Sequence, residues 1–349
     1  MTNSEKLLSS FSEDFFYKEL VYADLKFVPE GGTEIELADL IINLEDVILA
    51  IQLQERNERD RTQDKNVEEK WLKKKCKKAK GQIKDTILFI NNEKVSFVNA
   101  RGKETKINPN AEIVPLVVFE NVSISEYEHL LRSHTADGLS VNCMSIDDFQ
   151  LMCQELVSPI EIIEYVKWRK AFYEKNGAIN LLITETKKGF FLSKPQKQET
   201  LVYQYLYEQY GDDVLAEENF YYELFRKYVS VLYEHIEVVS EPDGCYEGVK
   251  FVAHLFRDEI RCFVERVEKA LVIAKRKRFE LVGTLRNSQK EYAMVFTATE
   301  QGEQIPSEKL LSGVFEKQKV HTLLQIITYW IDDDEYRIDF VLWQDNRSI

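Results

Sequence analysis

The chain has 349 residues, of which 44% are hydrophobic and 30% charged, and its net charge is −14. Such a length is enough for two hydrophobic cores, while no apolar run approaches the ~20 residues of a membrane helix, so a membrane-spanning role is excluded. The negative balance also excludes a protein that coats nucleic acid over its whole surface, because phosphate repulsion would dominate at long range; any nucleic-acid site must be local. The first residues, MTNSEKLLSSFSEDFF, show neither an apolar signal core nor a basic leader, and a cytoplasmic location is expected. The first helix is expected within Ser4 to Phe27, with Phe15 and Leu20 covering a following sheet and Glu19 inside it. Pro29, Gly31 and Gly32 then break the chain.

From Glu36 to Glu55, ELADLIINLEDVILAIQLQE reads as two alternating strands joined by a tight turn at Glu45 and Asp46. Residues equidistant from that turn pair, which sets Asp39 opposite Gln52 and Leu37 opposite Gln54. Asp39, Gln52 and Gln54 therefore share one face with Ile41, Asn43, Ile48 and Ala50, and an acid beside two amides there is able to hold a metal ion. After a polar bend comes a basic helix, KWLKKKCKKAKGQIKDTILFI. Leu72, Cys76, Ala79, Ile83 and Ile87 fall on its core face, and eight lysines occupy the stretch from Lys70 to Lys84. Lys70, Lys73, Lys74, Lys77, Lys78 and Lys80 are candidates for a nucleic-acid backbone, since a solvated face usually mixes signs; a lysine-rich surface helix with no ligand is the alternative.

Residues 94–107 predict a second hairpin turning at Arg101-Gly102, and Ile113 to Glu120 a buried central strand. EYEHLLRSH predicts a helix, LSVNCMS a short strand, and IDDFQLMCQEL and SPIEIIEYVKWRKAFYEK two more helices, the second opened by Ser158-Pro159. This order predicts an α/β sandwich over residues 1–178, with Asn176-Gly177 and SKPQKQ marking its boundary or flanking loop. Residues 179–349 predict an α+β domain for recognition, regulation or oligomerisation. It contains the aromatic helices QETLVYQYLYEQY and EENFYYELFRKYVSVLYEHIE, one long helix through EGVKFVAHLFRDEIRCFVERVEKALVIAKRKR, and the strands EYAMVFTAT, HTLLQIITYWI and YRIDFVLWQ. Asp332 to Glu335 join the last two strands as a solvated turn without a calcium-loop glycine pattern. Five dispersed cysteines and five scattered histidines indicate neither a disulfide framework nor a zinc site. No nucleophile elbow, phosphate loop or dinucleotide fingerprint is present, so nucleotide-driven work would need a partner.

The aspartate followed by the strand Gln52-Leu53-Gln54 resembles the catalytic hairpin of the PD-(D/E)XK superfamily, the restriction-endonuclease-like nucleases. It is closest to the Mrr-type branch, whose pattern is an aspartate and then Gln-x-Lys. The resemblance implies a restriction-endonuclease-like α/β sandwich that hydrolyses DNA phosphodiester bonds with Mg²⁺ or Mn²⁺, commonly in bacterial defence or restriction. It implies Asp39, Gln52 and the carbonyl of Leu53 as metal ligands, and Glu19 as an acid pointing at the metal; Glu19 also reads as a solvated acid near Lys18 and Lys26. The lysine position is held by Gln54, which carries no charge to orient water or offset developing negative charge. Arg56 or a lysine of the next helix is the nearest substitute. Two further readings stay open: a catalytically degenerate relative that binds nucleic acid or a protein, and an interaction protein whose C-terminal half grips a partner or a second copy.

Overall fold

The computed structural model describes residues 3–344 except 24, 28–34, 93–95, 122–128, 132–140, 177–196, 212–217, 239–241, 277–278, 288–291 and 301–307. Helices and strands are mixed throughout, giving an α/β protein with several sheets. Two compact units are present, Met1–Asp212 and Asp213–Ile349. Their division falls later than the boundary expected after residue 178, because a helix at Lys197–Tyr210 belongs to the first unit: Tyr205 meets Tyr165 edge-on at 5.4 Å, and Tyr210 Oη donates to Glu161 at 3.1 Å.

Helix α1 (Asn3–Phe16) ends where Tyr17 turns to φ 70°, a left-handed conformation that no helix continues through. Glu19, expected inside this helix, therefore lies beyond its end. Val21–Ala23 forms β1 and Lys26–Phe27 forms β2, and Leu20, Val21 and Tyr22 are fully buried. There follow β3 (Ile35–Glu36), β4 (Leu40–Asn43), β5 (Val47–Glu55), α2 (Lys65–Asn92), the hairpin β6 (Ser96–Val98) and β7 (Glu104–Lys106), then β8 (Glu112–Glu120), β9 (His129–Leu131) and β10 (Val141–Ser145). Helices α3 (Ile146–Glu155), α4 (Pro159–Asn176) and α5 (Lys197–Tyr210) complete the unit. The main sheet has the order β1-β4-β5-β8-β10-β9, with β1, β4 and β5 antiparallel and β8 and β10 parallel to β5. The helix expected over EYEHLLRSH is also corrected for its central residues: His129–Leu131 pairs with the open edge of β10, where backbone groups otherwise lack partners, while the rest of that segment lies outside the described residues.

Parallel strands need a crossover, and α2 supplies it between β5 and β8. Its stripe Leu72, Cys76, Ala79 and Ile83 packs on Val117 and Phe119 of β8 and Val141 and Cys143 of β10. The alternate residues of β10 turn to the other face, where Asn142 donates to the Val166 carbonyl of α4. Pro115 lies opposite Ala50, one residue before pairing with β10 begins, where a central strand tolerates a missing donor.

One buried carboxylate fixes the start of α2. Arg56, just past β5, holds Glu68 through Nε at 3.0 Å and a terminal nitrogen at 3.1 Å; Asn121, just past β8, donates at 2.6 Å, and the Thr62 amide at 3.0 Å. Burial opposes ionisation of Glu68, yet these hydrogen bonds and the Arg56 charge hold its carboxyl down at about 2, below the usual 4.5.

The second unit contains α6 (Glu218–Val238), α7 (Pro242–Ala253), α8 (Arg257–Ala274), β11 (Glu280–Arg286), β12 (Tyr292–Ala298), α9 (Glu308–Gln318), β13 (Thr322–Trp330) and β14 (Tyr336–Gln344). Its sheet has the order β11-β12-β13-β14, with a parallel central pair crossed by α9 and antiparallel edges. Leu311, Val314 and Phe315 of α9 cover one face, against Ala293, Val295 and Leu323; Ala270, Ile273 and Ala274 of α8 reach Ala298 on the other. The single long helix expected from Glu247 is two, α7 and α8. The chain breaks because Leu255 and Arg257 are both buried, the latter with its guanidinium 4.9 Å from the Tyr222 ring, and Glu259 caps the Phe256 amide at 3.0 Å. Strand β11 and helix α9 had no counterpart in the sequence reading.

Because the Glu68 carboxyl is depressed in the folded state, its contribution is full above the ordinary value of 4.5 and disappears as pH falls towards 2. Urea unfolding followed from pH 6 to pH 2 should reveal a loss of roughly 3 kcal/mol across that window, and Glu68→Gln should be destabilised at pH 6 and lack that part of the pH dependence.

Candidate functional site

The hairpin register agrees with the sequence reading: Leu40 lies opposite Ile51, Ile41 opposite Ala50, Ile42 opposite Leu49 and Asn43 opposite Ile48. A two-residue turn sets it. Glu45 sits at φ 76°, Asn43 Oδ1 accepts the Glu45 amide at 2.9 Å, and the Leu44 amide donates to the Val47 carbonyl at 3.0 Å. One step beyond Leu40, this register sets Asp39 across from Gln52.

Both side chains are engaged there. A continued ladder would send the Leu53 amide to the carbonyl of residue 38; instead Asp39 Oδ2 accepts it at 2.6 Å, and β4 begins only at Leu40. Gln52 Nε2 donates to the Leu37 carbonyl at 2.9 Å, and Thr86 of α2 donates to that same oxygen. Asp39 is half-buried, whereas Gln52 is 1% and Gln54 7% exposed. Gln52 pairs in parallel with Val117 and Gln54 with Phe119, so both amides lie on the face that α2 covers.

As a cation site the hairpin end offers one carboxylate, the Gln52 amide oxygen and the Leu53 carbonyl, a donor set of single negative charge. Among the described residues, no three His, Cys, Asp or Glu side chains converge anywhere. One carboxylate suits Mg²⁺ or Mn²⁺ when phosphate oxygens and water complete the shell.

Glu19 is not brought to this end. It lies past α1 rather than on it, and since β1 sets Ala23 against Leu40 and Val21 against Ile42, Glu19 falls at the turn end of the hairpin, about 15 Å along the strand direction from Asp39. There Arg101 Nε donates to Glu19 Oε1 at 2.6 Å and Asn99 holds the Glu19 carbonyl, which docks the β6–β7 hairpin. Its carboxylate is 3% exposed, against the solvated-acid alternative. Arg56, expected as a substitute for the motif lysine, is committed to Glu68 and lies 5.5 Å from the centre of the Trp71 ring.

The lysines of α2 face the opposite way from the hairpin. Lys70, Lys73, Lys74, Lys77, Lys78 and Lys84 are exposed, Lys75 and Lys80 half-buried, and Lys73 approaches Glu69 at 3.9 Å. The helix body stands between them and the Asp39–Gln52 clasp, because Leu72, Cys76, Ala79, Ile83 and Thr86 form its buried side. In the second unit the Asp332–Glu335 turn closes on itself, with Asp332 Oδ1 accepting the amides of Asp334 and Glu335.

Sequence reasoning missed the Glu68 cluster. Its available signals were an acid in the first turn of a basic helix and an asparagine immediately after the central strand.

No protein-family model matches the chain, and no curated protein or solved structure matches it.

If Asp39 terminates the ladder through the Leu53 amide, Asp39→Ala should cost about 1–2 kcal/mol and speed hydrogen exchange at Leu53 selectively, while Asp39→Asn, which keeps an acceptor, should recover most of the protection. Equal exchange at Leu53 in all three proteins would remove that role.

Proposed function

We propose that the first unit is a nuclease-type domain that binds DNA and whose hydrolytic centre lacks its positive charge, so that binding outlasts cleavage. One observation carries this reading: Gln54, two residues after Gln52 on the same face, is buried, and Arg56, the arginine nearest in sequence, is locked on Glu68. An uncharged amide there neither orients a water nor offsets the charge that develops on a transferring phosphoryl group. What supports a nuclease-type ancestry is the order helix, antiparallel hairpin, crossover helix and parallel strand, together with the register that sets Asp39 across from Gln52. What supports DNA as partner is the one-sign lysine face in a chain of net charge −14. A defence or restriction role and a cytoplasmic setting accompany this proposal, as does recognition, regulation or self-association by the second unit.

The reading that the chain itself cuts DNA is favoured by the Asp39, Gln52 and Leu53 oxygens at one hairpin end, where a divalent ion would polarise a phosphodiester bound beside it. Plasmid and oligonucleotide cleavage assays with Mg²⁺, Mn²⁺ or Co²⁺ separate the two. The natural chain is expected to bind without cutting. Gln54→Lys should introduce metal-dependent cleavage, and Asp39→Ala in that background should abolish it. Cutting by the natural chain would establish the hydrolytic reading instead; no cutting by either protein leaves Gln54 without a catalytic ancestry.

A further inference from the structure

The exposed residues of α2 between Lys70 and Lys84 have one chemistry. Lys70, Lys73, Lys74, Lys77, Lys78 and Lys84 are exposed, and the only other exposed residue in that interval is Gly81. Glu69 at one end and Asp85 at the other are the acids that flank the face. At the α-helical rise, Lys70 to Lys84 spans about 21 Å, a straight rod of positive charge as long as roughly six nucleotides of a duplex strand. We propose that this outer face of α2 is an anchoring site for duplex nucleic acid that works without a divalent cation and without Asp39. It rests on the DNA-binding reading above and narrows it to a form of nucleic acid and a place.

Three observations fix the occupant. First, the face carries lysines alone, with no arginine fork and no aromatic ring. Trp71 is half-buried beside Arg56, so nothing on the face stacks on an unpaired base. Point charges without stacking groups suit the regular phosphates of a duplex and carry no base readout. Second, Gly81 lies in the middle of the lysines, and among the described residues a Cβ added there would meet nothing within 4 Å beyond the backbone of its own helix. Glycine is a poor helix former, and no neighbouring atom of the described residues requires it here; a phosphate backbone lying against the helix does benefit from the lowered surface. Third, the helix is about 10–12 Å across with its side chains, and its buried side rests on the sheet that bears Gln52. A duplex on the lysines therefore does not touch the hairpin clasp. The anchoring step and any chemistry at Asp39 are separable.

The test uses the full chain and a fluorescent 25-base-pair duplex in EDTA, read by anisotropy across a salt series. The expected result is duplex binding with a log–log salt slope of about −4 to −5, as neutralisation of five phosphates gives. Lys73→Glu, Lys74→Glu, Lys77→Glu and Lys78→Glu combined should weaken it more than fiftyfold with the circular dichroism unchanged, whereas Asp39→Asn should stay within twofold. Gly81→Gln should lose three- to tenfold in affinity while the melting temperature holds or rises, which no loss of folding produces; unchanged affinity overturns the close approach at Gly81. Binding that needs Mg²⁺ and falls with Asp39→Asn overturns the anchoring site but leaves the DNA-binding reading intact. Preference for the single strand overturns the duplex, and preference for polyglutamate overturns a nucleic-acid occupant. Absence of binding to any nucleic acid defeats both proposals.

Discussion

The first unit depends on a carboxylate that has been taken out of water and fully repaid in hydrogen bonds. A buried charge is expensive unless paired, and removing one partner leaves the other stranded. Glu68 meets a bidentate guanidinium, an asparagine amide and a main-chain amide, which come from the ends of β5 and β8 and from the bend between them. These are the segments that a parallel pair of strands leaves to be connected. With the first turn of α2 pinned there, the helix has one rotation that seats Leu72, Cys76, Ala79 and Ile83 on the sheet. The orientation of the lysines is a consequence of that seating and of the 3.6-residue period, not a separate feature.

A second constraint operates at the other end of β5. The Leu37 carbonyl accepts from both Gln52 and Thr86, and Asp39 accepts from Leu53, so the chain entering the hairpin is tied to β5 and to α2 together. A carboxylate used to close a ladder already has one oxygen satisfied by a main-chain donor. For a cation it is a weaker ligand than one held ready by packing alone, and a lone negative charge leaves much of the charge balance to phosphate. The same side chains that make the hairpin look like a metal site therefore also explain why the hairpin ends where it does.

The parts of this fold that were legible in the sequence are those governed by short-range periodicity. The two-residue turn at Glu45 and Asp46 fixed every pairing of β4 with β5, and the helical period separated the buried stripe of α2 from its lysines. What escaped were decisions taken at long range. Nothing local announces that Tyr17 will adopt a positive φ and end α1, that His129–Leu131 will be recruited to the edge of β10, or that Leu255 and Arg257 will be drawn into a core and break a periodic helix in two. The misplacement of Glu19 follows from the first of these: once the helix stops early, the residue belongs to the β1 side of the hairpin and finds Arg101, a partner 82 residues away. At the candidate site the register was readable but the use of each side chain was not, because the bond from Asp39 to Leu53 and the burial of Gln54 depend on where α2 settles.

Seen from α2, the hairpin clasp and the lysine face occupy opposite sides of one helix. Its buried side reaches the clasp through Thr86 and the Leu37 carbonyl, and its open side is lysine. Changes at positions that share no partners are close to additive, so a substitution at the clasp need not disturb the lysines, nor the reverse. On the proposed reading, an uncharged Gln54 at the clasp carries no penalty in electrostatic attraction for a polyanion at the lysines. The chain's net charge of −14 adds a condition of its own: attraction has to be concentrated within a Debye length of one surface, about 8 Å at physiological salt, to prevail over the rest of the molecule. A single helix with six exposed lysines along about 21 Å meets that condition, where the same six charges scattered over 349 residues would not.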